Sequence, residues 1–329
     1  MIDRRRVLTL SFGALVAPHA ALAQQQSGTV PRVGFLISET LADQTSRIAA
    51  LRAGLRDRGY AEGKNIVILY RSAEGDYERL PVLAAELAAL KVDVIVAFGI
   101  KALAAASGAT TTIPIVIPAT SSDPVAMGLV SSLARPSGNV TGSTSFGPEI
   151  MAKRLELLND VVPGMTRVAV LINPANPSFG PTFKQMEVAA KALKLALDPF
   201  KVKARGEFDS VFAAIAKRRV DAMVIQDDTL FGETNAGAIA ELAARQRLLA
   251  VGSIGFAEAG GTIGYGRTLA ELYRRGAFFV DRILKGAKPG DLPMEQATRF
   301  ELVINAKTAK ALGIRIPPSV LLRADRVIE

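Results

Sequence analysis

The chain has 329 residues, of which 49% are hydrophobic, carries a formal net charge of +9, and contains no Cys, no Trp and one His. That residue, His19, lies in a segment that we expect to be removed, so the mature chain would have neither imidazole nor thiol. This excludes the commonest general base, the commonest metal ligands and the thiolate nucleophile, and it favours binding over catalysis. Because the Lys and Arg residues are scattered, without a dense run or interleaved aromatic residues, we expect no nucleic-acid partner.

The first predicted element is a cleaved secretory signal over residues 1–23. Three arginines at positions 4–6 precede the apolar stretch Val7–Val16, and the small-residue triplet Ala21-Leu22-Ala23 follows it, a pattern typical of such signals. The arginines fit a twin-arginine signal only loosely, so Sec and twin-arginine export both remain open. Removal would leave 306 residues, enough for two lobes. No later apolar run is long enough to span a membrane, so we expect a soluble periplasmic protein.

Two sets of strand-forming segments follow, and the second repeats the first. Continuous Val/Ile-rich runs occur at Arg32–Ser38, Val92–Ala97 and Ile113–Ile117, and related runs return at Arg167–Asn173, Val220–Ile225 and, more loosely, Leu248–Gly252. Segments with helical periodicity lie between them at Ile48–Arg58, Leu80–Leu90, Thr182–Leu195, Val211–Arg218 and Ala236–Arg245. Apolar strands that alternate with helices form parallel sheets covered on both faces. We therefore predict an α/β protein of two doubly wound, Rossmann-like lobes.

The last part of the chain predicts a hinge of three connections between the lobes. It contains a short strand at Gly260–Gly266, a long helix at Leu269–Lys285, a Pro/Gly-rich linker at Gly286–Pro293, a strand at Phe300–Asn305 and a helix at Ala306–Leu312. One late strand and helix for each lobe requires the chain to cross between the lobes again. We assign residues 31–143 and 260–290 to lobe 1 and residues 147–256 and 294–329 to lobe 2. The connections are expected near 142–148, 257–261 and 290–296.

Polar clusters follow the predicted strands, where open α/β sheets bind their ligands. These candidate ligand-binding residues are Ser38, Thr40, Gly99, Ile100, Ser122 and Asp123 in lobe 1, and Asn173, Asn176, Ser178, Asp227 and Asp228 in lobe 2. Each cluster opens a helix, whose N-terminal N–H groups favour a carboxylate, whereas the adjacent Asp227 and Asp228 could hold an ammonium group. The alternative is structural, because Ser, Asp and Asn at these places are also ordinary helix caps and turn formers.

No motif for a catalytic centre, a cofactor or a metal emerges. The sequence lacks a G-x-x-x-x-G-K-[ST] phosphate loop, and Gly264-Tyr265-Gly266 lacks the third glycine of a dinucleotide fingerprint. A Ser-His-Asp triad needs a His, and Glu39, Asp227 and Asp228 are not spaced like a calcium loop. We therefore predict no cofactor, no metal and no enzymatic activity. An enzyme that works without His and Cys on the same scaffold is the less favoured alternative.

An ordered series of motifs resembles one known family. The motifs are Gly59–Asn65, Tyr70–Asp76, Asp123–Val130, Arg135–Gly142, Lys153–Leu158, Asn173–Pro177, Tyr273–Ala277, Asp281–Pro289, Phe300–Asn305 and Arg323–Glu329. The series covers nearly the whole mature chain, and it is similar to the tryptophan/tyrosine-type substrate-binding proteins of ABC transport systems. The resemblance implies a monomer with a type I periplasmic-binding-protein fold.

The same resemblance implies a function. A small carboxylate-bearing ligand, an aromatic amino acid or a related aromatic or organic acid, would be captured between the lobes and delivered to an ABC permease and its ATPase. By position, the resemblance adds Thr144 and Ser145 to the pocket loops. Relatives often have a small residue after the strand glycine, whereas this chain has Ile100-Lys101, which would narrow the pocket or favour an acid without an amine. A ligand sensor for a membrane receptor would use the same lobes and stays an alternative.

Overall fold

The computed structural model describes residues 30–144, 147–176, 178–296 and 299–329, so the predicted signal lies outside the described residues. The strands are β1 (Arg32–Ile37), β2 (Val67–Ser72), β3 (Val94–Phe98), β4 (Ile115–Thr120), β5 (Val140–Thr144), β6 (Arg167–Ile172), β7 (Ala196–Lys201), β8 (Ala222–Ile225), β9 (Leu249–Gly252), β10 (Ile263–Gly266), β11 (Glu295–Gln296), β12 (Glu301–Asn305) and β13 (Arg326–Ile328). The helices are α1 (Thr45–Arg56), α2 (Leu80–Ala89), α3 (Ile100–Ala109), α4 (Gly147–Val161), α5 (Phe179–Ala192), α6 (Phe208–Arg218), α7 (Glu233–Arg245), α8 (Ile254–Glu258), α9 (Leu269–Leu284), α10 (Ala306–Leu312) and α11 (Pro318–Leu321). Within these ranges no helix is long and apolar enough to cross a membrane.

The strands form two sheets, one in each lobe. The first sheet has the order β11-β5-β4-β3-β1-β2, and the second has the order β13-β12-β10-β9-β8-β6-β7. Among the described strands, neighbours run parallel except for the antiparallel pair β10 and β12. The orders β2-β1-β3-β4-β5 and β7-β6-β8-β9-β10 are equivalent, so the internal repeat and the two doubly wound lobes are confirmed.

Helices cover both faces of each sheet because both faces are apolar. On β1, the side chains of Val33, Phe35 and Ile37 are buried on one face and that of Leu36 on the other. Helices α1 and α9 pack on the first of these faces, and α2 and α3 on the second. In the second lobe, α4 and α5 lie on the face opposite to α6 and α7. Burial on both sides explains why the strands read as continuous apolar runs.

The chain crosses between the lobes three times, as predicted, but the structure divides two segments differently from the prediction. The second connection is Arg267-Thr268, because β10 stays beside β9 in the second sheet after the short link through α8. Within the segment 260–290, α9 packs on the first lobe against α1, and Gly290 accepts a hydrogen bond from the backbone N–H of Ser137 in the same lobe. Strand β11 follows α9 and pairs with β5 in the first sheet, so the third connection begins after Gln296.

Each sheet reverses its strand order beside its first strand. In the first lobe β1 lies between β2 and β3, and in the second lobe β6 lies between β7 and β8. Doubly wound sheets bind ligands beyond the carboxyl ends of the strands at such a reversal. The residues that follow these strands are Ser38 and Gly99 in the first lobe and Asn173 and Gln226 in the second. The topology therefore predicts a ligand site in the space between these four residues.

Candidate functional site

A cavity of about 140 Å³ lies between the lobes. Its walls come from the ends of β1 and β3, the ends of β6 and β8, and the connection between β10 and α9. A water-sized group needs about 10–15 Å³, so the space accommodates roughly nine to fourteen such groups. The rings of Tyr77, Phe231, Phe256 and Tyr273 line it. The cavity therefore fits one small ligand with a ring.

Seven residues predicted from the strand ends line this cavity. They are Ser38, Gly99, Ile100, Asn173, Asn176, Asp227 and Asp228. Five others, Thr40, Ser122, Asp123, Thr144 and Ser178, are not among its described lining residues. Ser145 lies outside the residues that the structure describes. A ligand contact by any of these residues stays a prediction.

Of these five residues, Asp123, Thr144 and Ser178 make hydrogen bonds within the polypeptide instead. Asp123 Oδ1 accepts hydrogen bonds from the backbone N–H groups of Val125 (2.9 Å) and Ala126 (3.2 Å). Thr144 Oγ1 donates to the carbonyl of Ser122 at 3.2 Å. Ser178 Oγ donates to Asn176 Oδ1 at 2.6 Å. The contacts of Asp123 and Ser178 are the turn-forming roles that the sequence left open as the alternative for the Ser, Asp and Asn residues.

The lobes approach each other closely at Gly99. This residue opens α3 with φ of 99°, a conformation that favours glycine. A Cβ atom there would lie 3.6 Å from Ser38 Oγ and 3.9 Å from Thr229 Cγ2, which belongs to the second lobe. In a second contact between the lobes, Thr234 on α7 donates a hydrogen bond to Asp43 of the first lobe. The structure therefore has the two lobes in contact around the cavity.

Asp227 is held by an arginine that is entirely buried. Arg154 on α4 donates from Nη2 to Asp227 Oδ1 at 2.6 Å, with side-chain exposures of 0% for Arg154 and 24% for Asp227. The same guanidinium donates to the carbonyls of Tyr265 (2.7 and 2.9 Å) and Ile225 (2.8 Å). The planar fork of an arginine suits such a set of acceptors. Asp227 already has a cationic partner, which weakens the prediction that it holds an ammonium group.

Asp228 lies among hydrogen-bond donors. It accepts from Asn173 Nδ2 (3.0 Å), Asn176 Nδ2 (2.7 Å) and the backbone N–H of Leu230 (2.8 Å). Burial raises the pKa of Asp228, and these hydrogen bonds together with the charge of Lys101 lower it. The structure thus brings together Asn173, Asn176 and Asp228, which the sequence placed in one site. Among the described residues, no group of three or more His, Cys, Asp or Glu is arranged to hold a metal.

Glu39 is a third carboxyl group at the cavity, with 8% exposure. Its Oε2 accepts from Gln44 Nε2 at 3.1 Å, and its Oε1 has no hydrogen-bond partner in the described part of the chain. Burial, with a smaller contribution from the charge of Asp228, raises the pKa of Glu39 to about 7 against the lowering effects of Thr229 and Arg47. Glu39 therefore changes its charge near neutral pH.

The raised pKa of Glu39 predicts a pH-dependent stability. The folded chain holds the proton between the ordinary pKa of 4.5 and about 7, so folding is favoured at low pH and stability falls as the pH rises through this range. The loss amounts to roughly 2–4 kcal/mol above pH 7. Glu39→Gln should raise the thermal midpoint of the ligand-free protein by several degrees at pH 8 and by little at pH 5. If the thermal midpoints of the two proteins instead differed by the same amount at every pH, the raised pKa of Glu39 would be contradicted.

Donors without acceptors also lie at the cavity. Among the described residues, Arg267 Nε and Nη1 have no hydrogen-bond partner, and neither does Nε2 of Gln226, which is 4% exposed. The orientation of this amide is fixed, because Gln226 Oε1 accepts from the backbone N–H of Asn173 at 3.0 Å. Burial lowers the pKa of Arg267 to about 10, so its guanidinium stays charged at neutral pH. Buried unpaired donors cost free energy, and they favour a ligand that brings oxygen acceptors.

Sequence reasoning missed both arginines. Arg154 did carry a signal, because it stands with Met151, Leu155 and Leu158 on one helical stripe that is otherwise apolar and buried. A charged residue on a buried stripe requires a buried partner. Arg267 carries no local signal, because it follows a short strand in a connection whose place only the assembled lobes define.

Two doubly wound lobes, three connections and a cavity at both strand-order reversals define a bilobal solute-binding protein of the type I periplasmic-binding-protein class. The model of the ABC transporter substrate binding protein family matches residues 42–328, and the chain belongs to this family.

Similar proteins agree with this assignment. The "Tyrosine-binding protein" of Clostridioides difficile (strain R20291) is 26% identical over 263 residues, 79% of this chain and 74% of that protein. A conserved domain protein from Vibrio cholerae O1 biovar El Tor is 27% identical with a TM-score of 0.84, over 91% of this chain and 100% of the other. The "ABC domain" from Streptococcus pneumonia in complex with L-Trp is 24% identical with a TM-score of 0.83, with the same coverage.

Proposed function

We propose that this protein is the extracytoplasmic receptor of an ABC importer for a small aromatic solute that carries a carboxylate, an amino acid or a related acid. The observation that carries the proposal is Arg267, whose guanidinium lines the interlobe cavity with two N–H-bearing nitrogens unpaired among the described residues. Each of these nitrogens can donate a charge-assisted hydrogen bond to a carboxylate oxygen. The proposal that the ligand contains an aromatic ring is supported by the aromatic side chains that line the cavity and by the relatives named for tyrosine binding or crystallised with L-Trp.

Arg267 also explains how binding would close the lobes. It lies in the connection between β10 of the second lobe and α9 of the first, so a ligand that it binds lies beside the hinge. A ligand shifts an open–closed equilibrium only through contacts that it makes in one of the two states. The ends of β1 and β3 and the ends of β6 and β8 would contact one ligand together only when the lobes meet.

The experiment is a thermal-shift panel on the mature protein, without residues 1–23. Aromatic amino acids, aromatic carboxylates, branched amino acids and small dicarboxylates are compared, each at high excess. A ligand at 100 times its dissociation constant adds about 2.7 kcal/mol and should raise the midpoint by several degrees. We expect shifts confined to aromatic carboxylate-bearing solutes, with no product formed. A shift only with the non-aromatic solutes, conversion to product, or no shift in the aromatic classes would contradict the proposal.

Delivery to an importer needs its own measurement. The permease and ATPase of the same transport system are reconstituted in vesicles, and ATP hydrolysis is followed with ligand-free and ligand-bound receptor. Ligand-dependent stimulation is the expected result. Binding without any effect on the ATPase would favour the sensing role instead.

A further inference from the structure

Among the described residues, four cationic and three acidic side chains line the interlobe cavity. They are Arg47, Lys101, Arg154 and Arg267, and Glu39, Asp227 and Asp228. An amino acid brings a positive and a negative charge, and its ammonium group needs an acid that is not already engaged. An acid without an amine needs only an unengaged cation. The partners of these seven side chains therefore discriminate between the two ligand classes.

Two of the acids already have their partners. Asp227 is paired with the fully buried Arg154 at 2.6 Å. Asp228 accepts three hydrogen bonds of 2.7 to 3.0 Å, from Asn173, Asn176 and Leu230. Two adjacent carboxylates suggested an ammonium site in the sequence, but the structure separates them into two engaged groups.

Lys101 supplies a further cation to Asp228. It stands at the second position of α3 in the first lobe and lines the same cavity as Asp228 of the second lobe. Its positive charge lowers the pKa of Asp228, against the larger raising effect of burial, and the two side chains line one cavity without forming an ion pair within 4.0 Å. An ammonium group of a ligand would have to compete with the ammonium group of Lys101 for this carboxylate.

Glu39 is the remaining acid. Its carboxyl group accepts from Gln44 and faces Arg47, Tyr77, Thr229 and Asp228. Because this group is buried and has a pKa of about 7, part of it is protonated at neutral pH in the ligand-free protein, and it then does not repel a ligand anion. Protonated, it offers an O–H donor to a ligand oxygen.

The unpaired groups at the cavity are mostly donors. Of the described side chains that line it, Arg267 and Gln226 have three nitrogens without acceptors, Arg267 Nε, Arg267 Nη1 and Gln226 Nε2, against one acceptor without a donor, Glu39 Oε1. A carboxylate supplies two acceptor oxygens and no donor. An ammonium group would add three donors to a cavity in which donors already exceed acceptors.

We infer that the cavity selects aromatic carboxylates that lack an amino group, with Arg267 and Gln226 binding the carboxylate and Lys101 filling the place that an amino acid's ammonium group would need opposite Asp228. This inference rests on the proposed function and narrows its ligand class. Lys101 thus determines specificity between two ligands that share one aromatic skeleton and differ only in the presence of an amino group.

The test is calorimetric titration of the mature protein, freed of bound solutes by unfolding and refolding, with matched pairs of ligands. Each pair shares one skeleton: tyrosine with 3-(4-hydroxyphenyl)propionate, and tryptophan with indole-3-propionate. We expect the amine-free member to bind at least tenfold more tightly. Lys101→Met should raise the affinity for the amino acid at least tenfold relative to the affinity for the amine-free member of the pair, because the cation of Lys101 is then removed from the cavity that Asp228 lines. Lys101→Arg should keep the original preference, and Lys153→Met, on the exposed surface of α4, should change neither affinity.

Three outcomes separate this inference from the proposed function. Tighter binding of the amino acids by the unaltered protein would overturn the inference and leave the proposed function intact. An unchanged ratio in Lys101→Met, with the variant folded as judged by its thermal midpoint, would also overturn the role of Lys101. Absence of binding by both members of every pair would overturn the proposed function, and the inference with it.

Discussion

An Arg154→Met variant is expected to lose about 3–5 kcal/mol of unfolding free energy, because removing one member of a buried ion pair leaves its partner uncompensated. The variant keeps the apolar stem but removes the donors to Asp227, Tyr265 and Ile225. The carbonyls of the last two would lie buried without their donor, which adds to the cost. Denaturant unfolding of the ligand-free mature protein measures the loss.

The matched control is the neighbouring residue on the same helix. Lys153 is exposed and pairs with Glu156 one turn away, so Lys153→Met should change stability by less than about 0.5 kcal/mol. Arg154→Lys keeps the charge but cannot reach all acceptors with one ammonium group. Its loss of unfolding free energy should therefore lie between the losses of Arg154→Met and Lys153→Met. A loss below about 1 kcal/mol in Arg154→Met would show that the buried network does not hold the second lobe together.

An Arg267→Met variant is expected to bind the ligand about 100-fold more weakly or worse, and yet to be more stable without ligand. Losing one partner of a buried charge pair in a complex costs about 2–5 kcal/mol. In the ligand-free protein the same guanidinium is buried without partners for Nε and Nη1 in the described residues, and burial lowers its pKa to about 10. Removing this charge should therefore raise the thermal midpoint, as replacement of functional residues often does.

Arg299→Met is the control for this variant. Arg299 is 74% exposed beside the third connection, and it lies 3.9 Å from Glu271, so its removal should change neither ligand affinity nor the midpoint appreciably. Titration calorimetry with the tightest ligand of the panel, together with thermal unfolding, gives both readouts. Undiminished affinity in Arg267→Met would refute the carboxylate-binding role, and a lower midpoint would mean that the guanidinium stabilises the ligand-free fold.

Most of the strands that the sequence predicted are buried on both faces, whereas the buried β5 was missed because its residues 141–144 are polar or glycine. Strands β1, β3, β6 and β8 are buried along nearly their whole length, and their apolar runs are continuous. The edge strands β2 and β7 escaped prediction because they are half-exposed and mix polar with apolar residues, as edge positions allow. Strand β11 has two residues and pairs only because α9 delivers it beside β5, which no local pattern encodes.

The sequence by itself determined the two repeated lobes, the three connections and the polar strand ends, because periodicity and turn chemistry are local properties of the chain. It also placed seven of the cavity-lining residues, because parallel strands in one lobe end at one edge. Only the tertiary structure decided which charges meet. Arg154 reaches Asp227 from another element, Lys101 lines the cavity of Asp228 from the other lobe, and Arg267 lines it from the hinge. Such pairings depend on how helices and lobes pack over long sequence separations, and burial then sets the pKa of each group and the charge that the cavity offers its ligand.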